Sequence, residues 1–144
     1  MIEGVIIEPL KQIVDDRGKV MHMLRADSPS FSKFGEIYFS QVNTGVVKAW
    51  KKHKIMTQHF AVPVGEIVLV IFDDRANSKT RGVVQKINTG EDNYCLVRIP
   101  PMVWYGFKGI SKTPALIANC SDIPHDPSET IKADIADKKI PFSW

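Results

Sequence analysis

Groups suited to metal or redox chemistry are scarce in this sequence: 144 residues carry only two cysteines and four histidines. Cys95 and Cys120 form no CxxC pair and sit in apolar runs, YCLVRI and LIANC, so they read as buried reduced thiols rather than a disulfide or a metal knuckle. No apolar run is long enough to cross a membrane, and the opening MIEGVIIEPLKQ carries acidic residues early instead of a signal peptide's basic and apolar regions. A cytoplasmic protein with no membrane partner is the expectation. Serine-, glycine- and glutamine-rich tracts are also missing, and with 44% apolar and 24% charged residues the chain has an ordinary globular composition. Its length suits one domain, residues 1–144, with a single core.

Charge excludes less. The net charge is +3 and the isoelectric point about 8.9, a mild excess that suits an anionic ligand. A nucleic-acid binder more often spreads basic residues over a wide face interleaved with stacking aromatics. Here they gather mainly at 48–54, so no nucleic-acid partner is expected and a small anion is.

No segment sustains a helical stripe. The runs GVIIE, KVMHMLR, EIYFSQVN, GVVKAW, EIVLVIFD, GVVQKINT, YCLVRI and PALIANC have strand composition, and the turn signals DDRG, DSPS, NTG, PVGE, DDRANS and GISKTP separate them. That rhythm predicts an all-β antiparallel barrel or sandwich. SPSFSKF and PSETIKADIA are the best short-helix candidates.

The segment VVKAWKKHKIMTQHF concentrates the chemistry. A regular strand would place Lys48, Trp50 and Lys52 on one face and Ala49, Lys51 and His53 on the other. With Gly45 and Gly65 as the two glycines of a cupin metal pattern, its ligand positions fall on Lys51, His53, Gln58 and Tyr105. A protonated lysine repels a divalent cation, and His53 and His59 stand six residues apart. Neither a metal nor another cofactor is expected.

From DDRG (15–18) through GVVKAW (45–50), VPVGEIVLVIFDDR (62–75), LVRIPPMVWYGF (96–107) and ANCSDIPHDPSE (118–129) to the final IPFSW, the chain resembles the dTDP-4-dehydrorhamnose 3,5-epimerase family. The resemblance implies a cupin-type jelly-roll barrel without a metal, a homodimer, and a nucleotide-diphosphate 4-keto-6-deoxy sugar as substrate. Protons would leave and return at carbons 3 and 5, beside the keto group. That chemistry needs a base, an acid, and cations for the enolate and the diphosphate.

Carried over position by position, the resemblance puts a nucleotide- or phosphate-contacting arginine at Arg17, beside Asp15 and Asp16, and an arginine near the sugar and diphosphate at Lys48. Its base histidine falls on Lys51, its AHGF histidine on Tyr105, and a lysine on Gln58. The carboxylate that orients the base falls on Ile135, next to Asp134, and the acid tyrosine near Thr113 or Ala118. Shorter members resemble W-H-x-H-K here, which makes His53 a retained group and Lys51 a substitution. Tyr38 and His22 lie on strands that reach the nucleotide in the family.

Two accounts of the site follow. In one the site is rebuilt: Lys51, its pKa lowered by Lys48, Lys52 and Lys54 and by a dry barrel, acts as base, with Tyr105 or His53 as acid. Arg17, Lys48, Gln58, His59 and Tyr38 then bind substrate. In the other the barrel binds a sugar nucleotide without turning it over, or performs a related keto-sugar isomerisation. A solvated barrel rim is the plainest reading of KKHK. Trp50 and Trp104 suit the core or a stacked ring, and His125 lies among turn residues.

Overall fold

The protein's structure, a computed structural model, describes residues 1–144. In chain order the strands are β1 (Ile6–Pro9), β2 (Gln12–Asp15), β3 (Gly18–Met21), β4 (Glu36–Val42), β5 (Val47–His53) and β6 (Gln58–Val64). They continue with β7 (Glu66–Phe72), β8 (Val84–Gly90), β9 (Cys95–Ile99), β10 (Trp104–Gly109), β11 (Ala115–Ser121) and β12 (Thr130–Lys132). Two five-stranded sheets, ordered β1-β9-β6-β11-β4 and β12-β5-β10-β7-β8, pack into a jelly roll, and β2 and β3 form a separate hairpin. All strand pairings are antiparallel. No helix is long and apolar enough to cross a membrane.

The VLVIF run shows why this sequence needs two covered faces. Leu69 and Ile71 enter the core between the sheets, together with Phe60, Val97 and Ile117. Val70 and Phe72 point the other way, onto Trp50 and Ile140, with Phe142 and Trp144 packed alongside. The C-terminal segment thus lies over the outer face of the second sheet. Each such aliphatic side chain contributes roughly 1.5–3 kcal/mol by leaving water.

Several strands escape a reading by period. Neither β2, β6, β10 nor β12 stands out in the sequence; β6 has five buried residues in succession and then a proline, so it shows no alternation. The expected helix PSETIKADIA is instead one 3₁₀ turn, Pro127–Glu129, capped by Asp126, followed by β12. β-branched Thr130 and Ile131 pair with His53 and Lys52 and cover the free edge of β5. SPSFSKF is likewise not a helix: the Ser28 and Ser30 hydroxyls donate to Glu8, at 3.0 and 2.9 Å, and hold the segment in turns.

One irregularity matters for the site. Tyr105 pairs with Lys51 but Phe107 with Lys48, so Ala49 and Trp50 together face the single residue Gly106. This bulge resets the alternation. Lys48 and Lys51 both line the cleft between the sheets, whereas Trp50 and Lys52 turn outward. The regular strand expected from sequence put Lys48 on the opposite face from Lys51. Gly106 leaves the room, because a Cβ there would collide with that of Ala49.

Gly65 closes the β6–β7 turn at φ +72°, where a Cβ would lie 2.7 Å from Ser111 Oγ and 2.8 Å from Ala115 Cα. Gly65→Ala is expected to cost on the order of 2 kcal/mol, from the strained φ and the clash, and to lower Tm by roughly 5–10 °C. Thermal denaturation followed by circular dichroism measures it.

Candidate active site

A cleft of about 340 Å³ opens between β4 and β11 of one sheet and β5 and β10 of the other, lined by Tyr38, Ser40, Lys48, Lys51, Tyr105 and Asn119 among others. A smaller lobe of about 230 Å³ adjoins it, with Glu36, His53, His125 and Thr130 in its wall. Tyr38, Lys51 and Tyr105 line both lobes. The bulge in β5 and the direct Lys51–Tyr105 pairing bring the basic segment and the phenol to one wall.

Behind that wall runs a hydrogen-bonded chain. Glu129, 5% exposed at the end of the 3₁₀ turn, accepts the Ile55 and Met56 N–H groups on Oε1, at 2.6 and 2.8 Å. Its other oxygen lies 2.6 Å from His53 Nδ1. Burial works to raise the Glu129 carboxyl, but the two N–H donors and His53 outweigh it and hold the group below the usual carboxylate range. An ionised Glu129 keeps a proton on Nδ1, which turns Nε2 toward the phenol. That nitrogen lies 3.2 Å from the Tyr105 hydroxyl.

The chain continues past the phenol. Tyr105 donates to Gln58 Oε1 at 3.1 Å, which also accepts from Asn119 Nδ2 at 2.9 Å. Asn119 Nδ2 donates in turn to the Tyr38 hydroxyl at 2.7 Å. Burial drives the Tyr105 phenol well above its ordinary range, with Tyr38 and Glu129 acting in the same direction. Tyr105 therefore holds its proton unless a base is close.

Lys51 stands beside Tyr105 across the β5–β10 pair and beside Lys132 across the β5–β12 pair. Loss of water around the amine at the cleft wall, then Lys132 and Lys48, press its ammonium below the usual lysine range, although the residue as a whole is exposed. The expected partners differ in part. Lys52 is held by both Asp74 oxygens at 2.5 and 2.6 Å, under the Trp104 ring on the outer face, and Lys54 Nζ donates to the Ser128 carbonyl at 2.7 Å. Lys48 Nζ is steadied at the cleft by Ser40 Oγ and the Gln41 carbonyl, at 3.2 and 2.5 Å.

The structure thus gathers Lys51, His53, Tyr105, Lys48 and Tyr38 at the cleft, with Gln58 just behind it. His59 is elsewhere: fully buried, its ring nitrogens lie against the Cys120 and Ser30 carbonyls at 3.0 and 2.9 Å. Arg17 is at the β2–β3 hairpin tip, its side chain 85% exposed and paired with Asp15 at 2.7 Å. His125 reaches the rim of the smaller lobe and its backbone N–H donates to the Glu36 carboxylate. Trp50 packs in the outer cluster and Trp104 Nε1 donates to Asp74, so neither lines the cleft.

Sequence reasoning missed Glu129 and Asn119. It put the orienting carboxylate at Ile135 or Asp134; Ile135 is exposed, and Asp134 accepts the Ala136 N–H in a local turn. The signal for Glu129 was the Asp-Pro-Ser-Glu string, a short capped turn that ends on an acid.

A family profile described as dTDP-4-dehydrorhamnose 3,5-epimerase matches residues 1–144. A crystal structure of a dTDP sugar isomerase from Desulfovibrio desulfuricans G20 is 54% identical, with a TM-score of 0.97 over 99% of this chain and 92% of that one. Among curated proteins, the spore coat polysaccharide biosynthesis protein SpsL of Bacillus subtilis is 32% identical over 146 residues, covering 100% of this chain and 97% of its own length. The probable low-salt glycan biosynthesis epimerase Agl13 of Haloferax volcanii is 36% identical over 120 residues, 82% of this chain and 77% of its own. By profile, by relatives and by fold, the chain belongs to the dTDP-4-dehydrorhamnose 3,5-epimerase family, the epimerase-type isomerases of nucleotide sugars.

Proposed function

We propose that this protein isomerises a nucleotide-diphosphate 4-keto-6-deoxy sugar, removing and returning a proton beside the keto group with Lys51 as base and the His53–Tyr105 pair as acid. One observation carries the reading: the buried Glu129–His53–Tyr105 chain ends at the cleft wall beside a lysine whose ammonium is held below the usual lysine range. A neutral amine at Lys51 takes the proton, and the C–H electron pair moves onto the keto oxygen as an enolate. Tyr105 delivers its proton to carbon and is recharged by His53, the imidazolium that Glu129 stabilises. Lys51 is exposed and returns its proton to water, and His53, in the wall of the smaller lobe, takes one up again to complete the cycle. Lys48, held in place at the cleft, and Lys132 at its edge supply positive charge for a diphosphate.

Two broader features belong to the same reading. The chain works in the cytoplasm as one domain. It acts as a homodimer, supported by the exposed Ile37 and Phe39 on edge strand β4 and by Ile13, Val14 and Val20 on the hairpin.

Incubation with dTDP-4-keto-6-deoxyglucose in heavy water, followed by NMR of carbons 3 and 5, tests the reaction. Deuterium at one or both carbons is the expected result. Binding of the nucleotide sugar without any exchange would sink the reading for this substrate and leave a barrel that only binds.

A further inference from the structure

We infer that Tyr38 is the hydrogen-bond donor that holds the substrate's keto oxygen as it becomes an enolate, and that Asn119 is the residue that aims it. This rests on the isomerase reading above. The removal of a proton beside a ketone puts negative charge on the ketone oxygen, so the site needs a donor directed there and not toward the protein. No lysine or arginine stands at the Gln58 position, where the resemblance implies a lysine.

The hydrogen-bond arrangement leaves Tyr38 as that donor. Asn119 is 1% exposed and spends both Nδ2 protons, one on Gln58 Oε1 at 2.9 Å and one on the Tyr38 oxygen at 2.7 Å. A phenol whose oxygen already accepts has its own O–H free. Tyr38 makes no other hydrogen bond in the protein, and it lines both lobes of the cleft. Its proton therefore has the cleft as its direction. The location also fits: Tyr38 stands on β4, in the sheet facing the one that carries Lys51 and Tyr105. Tyr38 thus approaches the substrate from the wall opposite Lys51 and Tyr105. Burial pushes the Tyr38 phenol up, so it shares its proton with the enolate without giving it away.

Through Gln58 the same amide connects the donor to the acid, since Gln58 Oε1 accepts from Asn119 and from Tyr105. As the carbon proton moves to Lys51, the electron pair goes to the keto oxygen against the Tyr38 O–H. When Tyr105 protonates carbon, the carbonyl re-forms and Tyr38 keeps its proton.

The test compares wild type, Tyr38→Phe and Asn119→Asp with the 4-keto sugar nucleotide, measuring kcat, KM, deuterium wash-in and dTDP affinity. Tyr38→Phe should lower kcat and wash-in about 100-fold, with KM within threefold and dTDP affinity unchanged. Asn119→Asp keeps the phenol but offers it a carboxylate acceptor, which draws the O–H back into the wall; the same loss of kcat with KM kept is expected. Wash-in by Tyr38→Phe within threefold of wild type overturns the inference, even if Asn119→Asp fails to fold. So does a rise in KM and a loss of dTDP affinity with kcat kept, which marks Tyr38 as a nucleotide contact. No wash-in by wild type overturns the isomerase reading itself, a result distinct from either.

Discussion

Glu129→Gln is expected to reduce deuterium exchange at the substrate carbons by about 10²- to 10⁴-fold while the barrel stays folded. The argument turns on which ring nitrogen carries the proton. Glu129 Oε1 accepts two backbone N–H groups, from Ile55 and Met56. A glutamine fills that role with its own carbonyl oxygen, which forces its NH₂ toward His53 Nδ1. The imidazole must then present a lone pair at Nδ1 and carry its proton on Nε2, where it faces Tyr105. In that tautomer it cannot take a further proton without two donors meeting, so Tyr105 is no longer recharged. Nitrogen NMR of the labelled imidazole shows the tautomer directly; an unchanged tautomer, or exchange within threefold of wild type, removes His53 from the proton path.

The same variant has a stability signature. The folded-state pKa of Glu129 lies below its ordinary value. Its contribution to stability is therefore complete above the ordinary carboxylate range and is lost as pH falls through the depressed folded value. Wild type should lose more stability than Glu129→Gln over that acid window, read as the difference between their Tm curves. The comparison matters because Asp73 and other carboxylates are also depressed and destabilise both proteins alike.

The contrast between Glu129 and β7 shows what a single sequence reveals. VLVIF is apolar at every position, and only a strand with two covered faces accommodates that, so its burial was legible. Turn residues at short intervals marked most of the other strands in the same way. The site was legible only as a segment. Alternation along β5 predicted its faces wrongly for Lys48, because the extra residue of a bulge has no mark in the sequence beyond Gly106 on the neighbouring strand. Glu129 acts across 76 residues of chain, through a turn whose opening proline and serine read as the start of a short helix. Contacts of that range depend on strand pairing, here β12 against β5, and are not encoded in local pattern.

Lys51 carries the second large effect, and two substitutions separate its roles. Lys51→Met keeps a long stem and removes the amine; exchange is expected to fall by about 10²- to 10⁴-fold, the range for loss of a positioned base. Affinity for dTDP should be retained, since Lys48 and Lys132 keep their charge. Weaker binding with exchange preserved would make Lys51 a phosphate contact. Lys51→His restores the residue type that the family resemblance places there. An imidazole titrates near neutrality, whereas the Lys51 amine, although lowered, starts from a lysine's range. The rate of wild type should therefore rise with pH over a window above that of Lys51→His, and the histidine variant should reach its plateau at lower pH. The displacement of that limb identifies the group that loses the proton, because a lysine that only binds phosphate leaves it where it is. If both proteins share one limb, the base is His53 acting through Tyr105, and the lysine serves the anion alone.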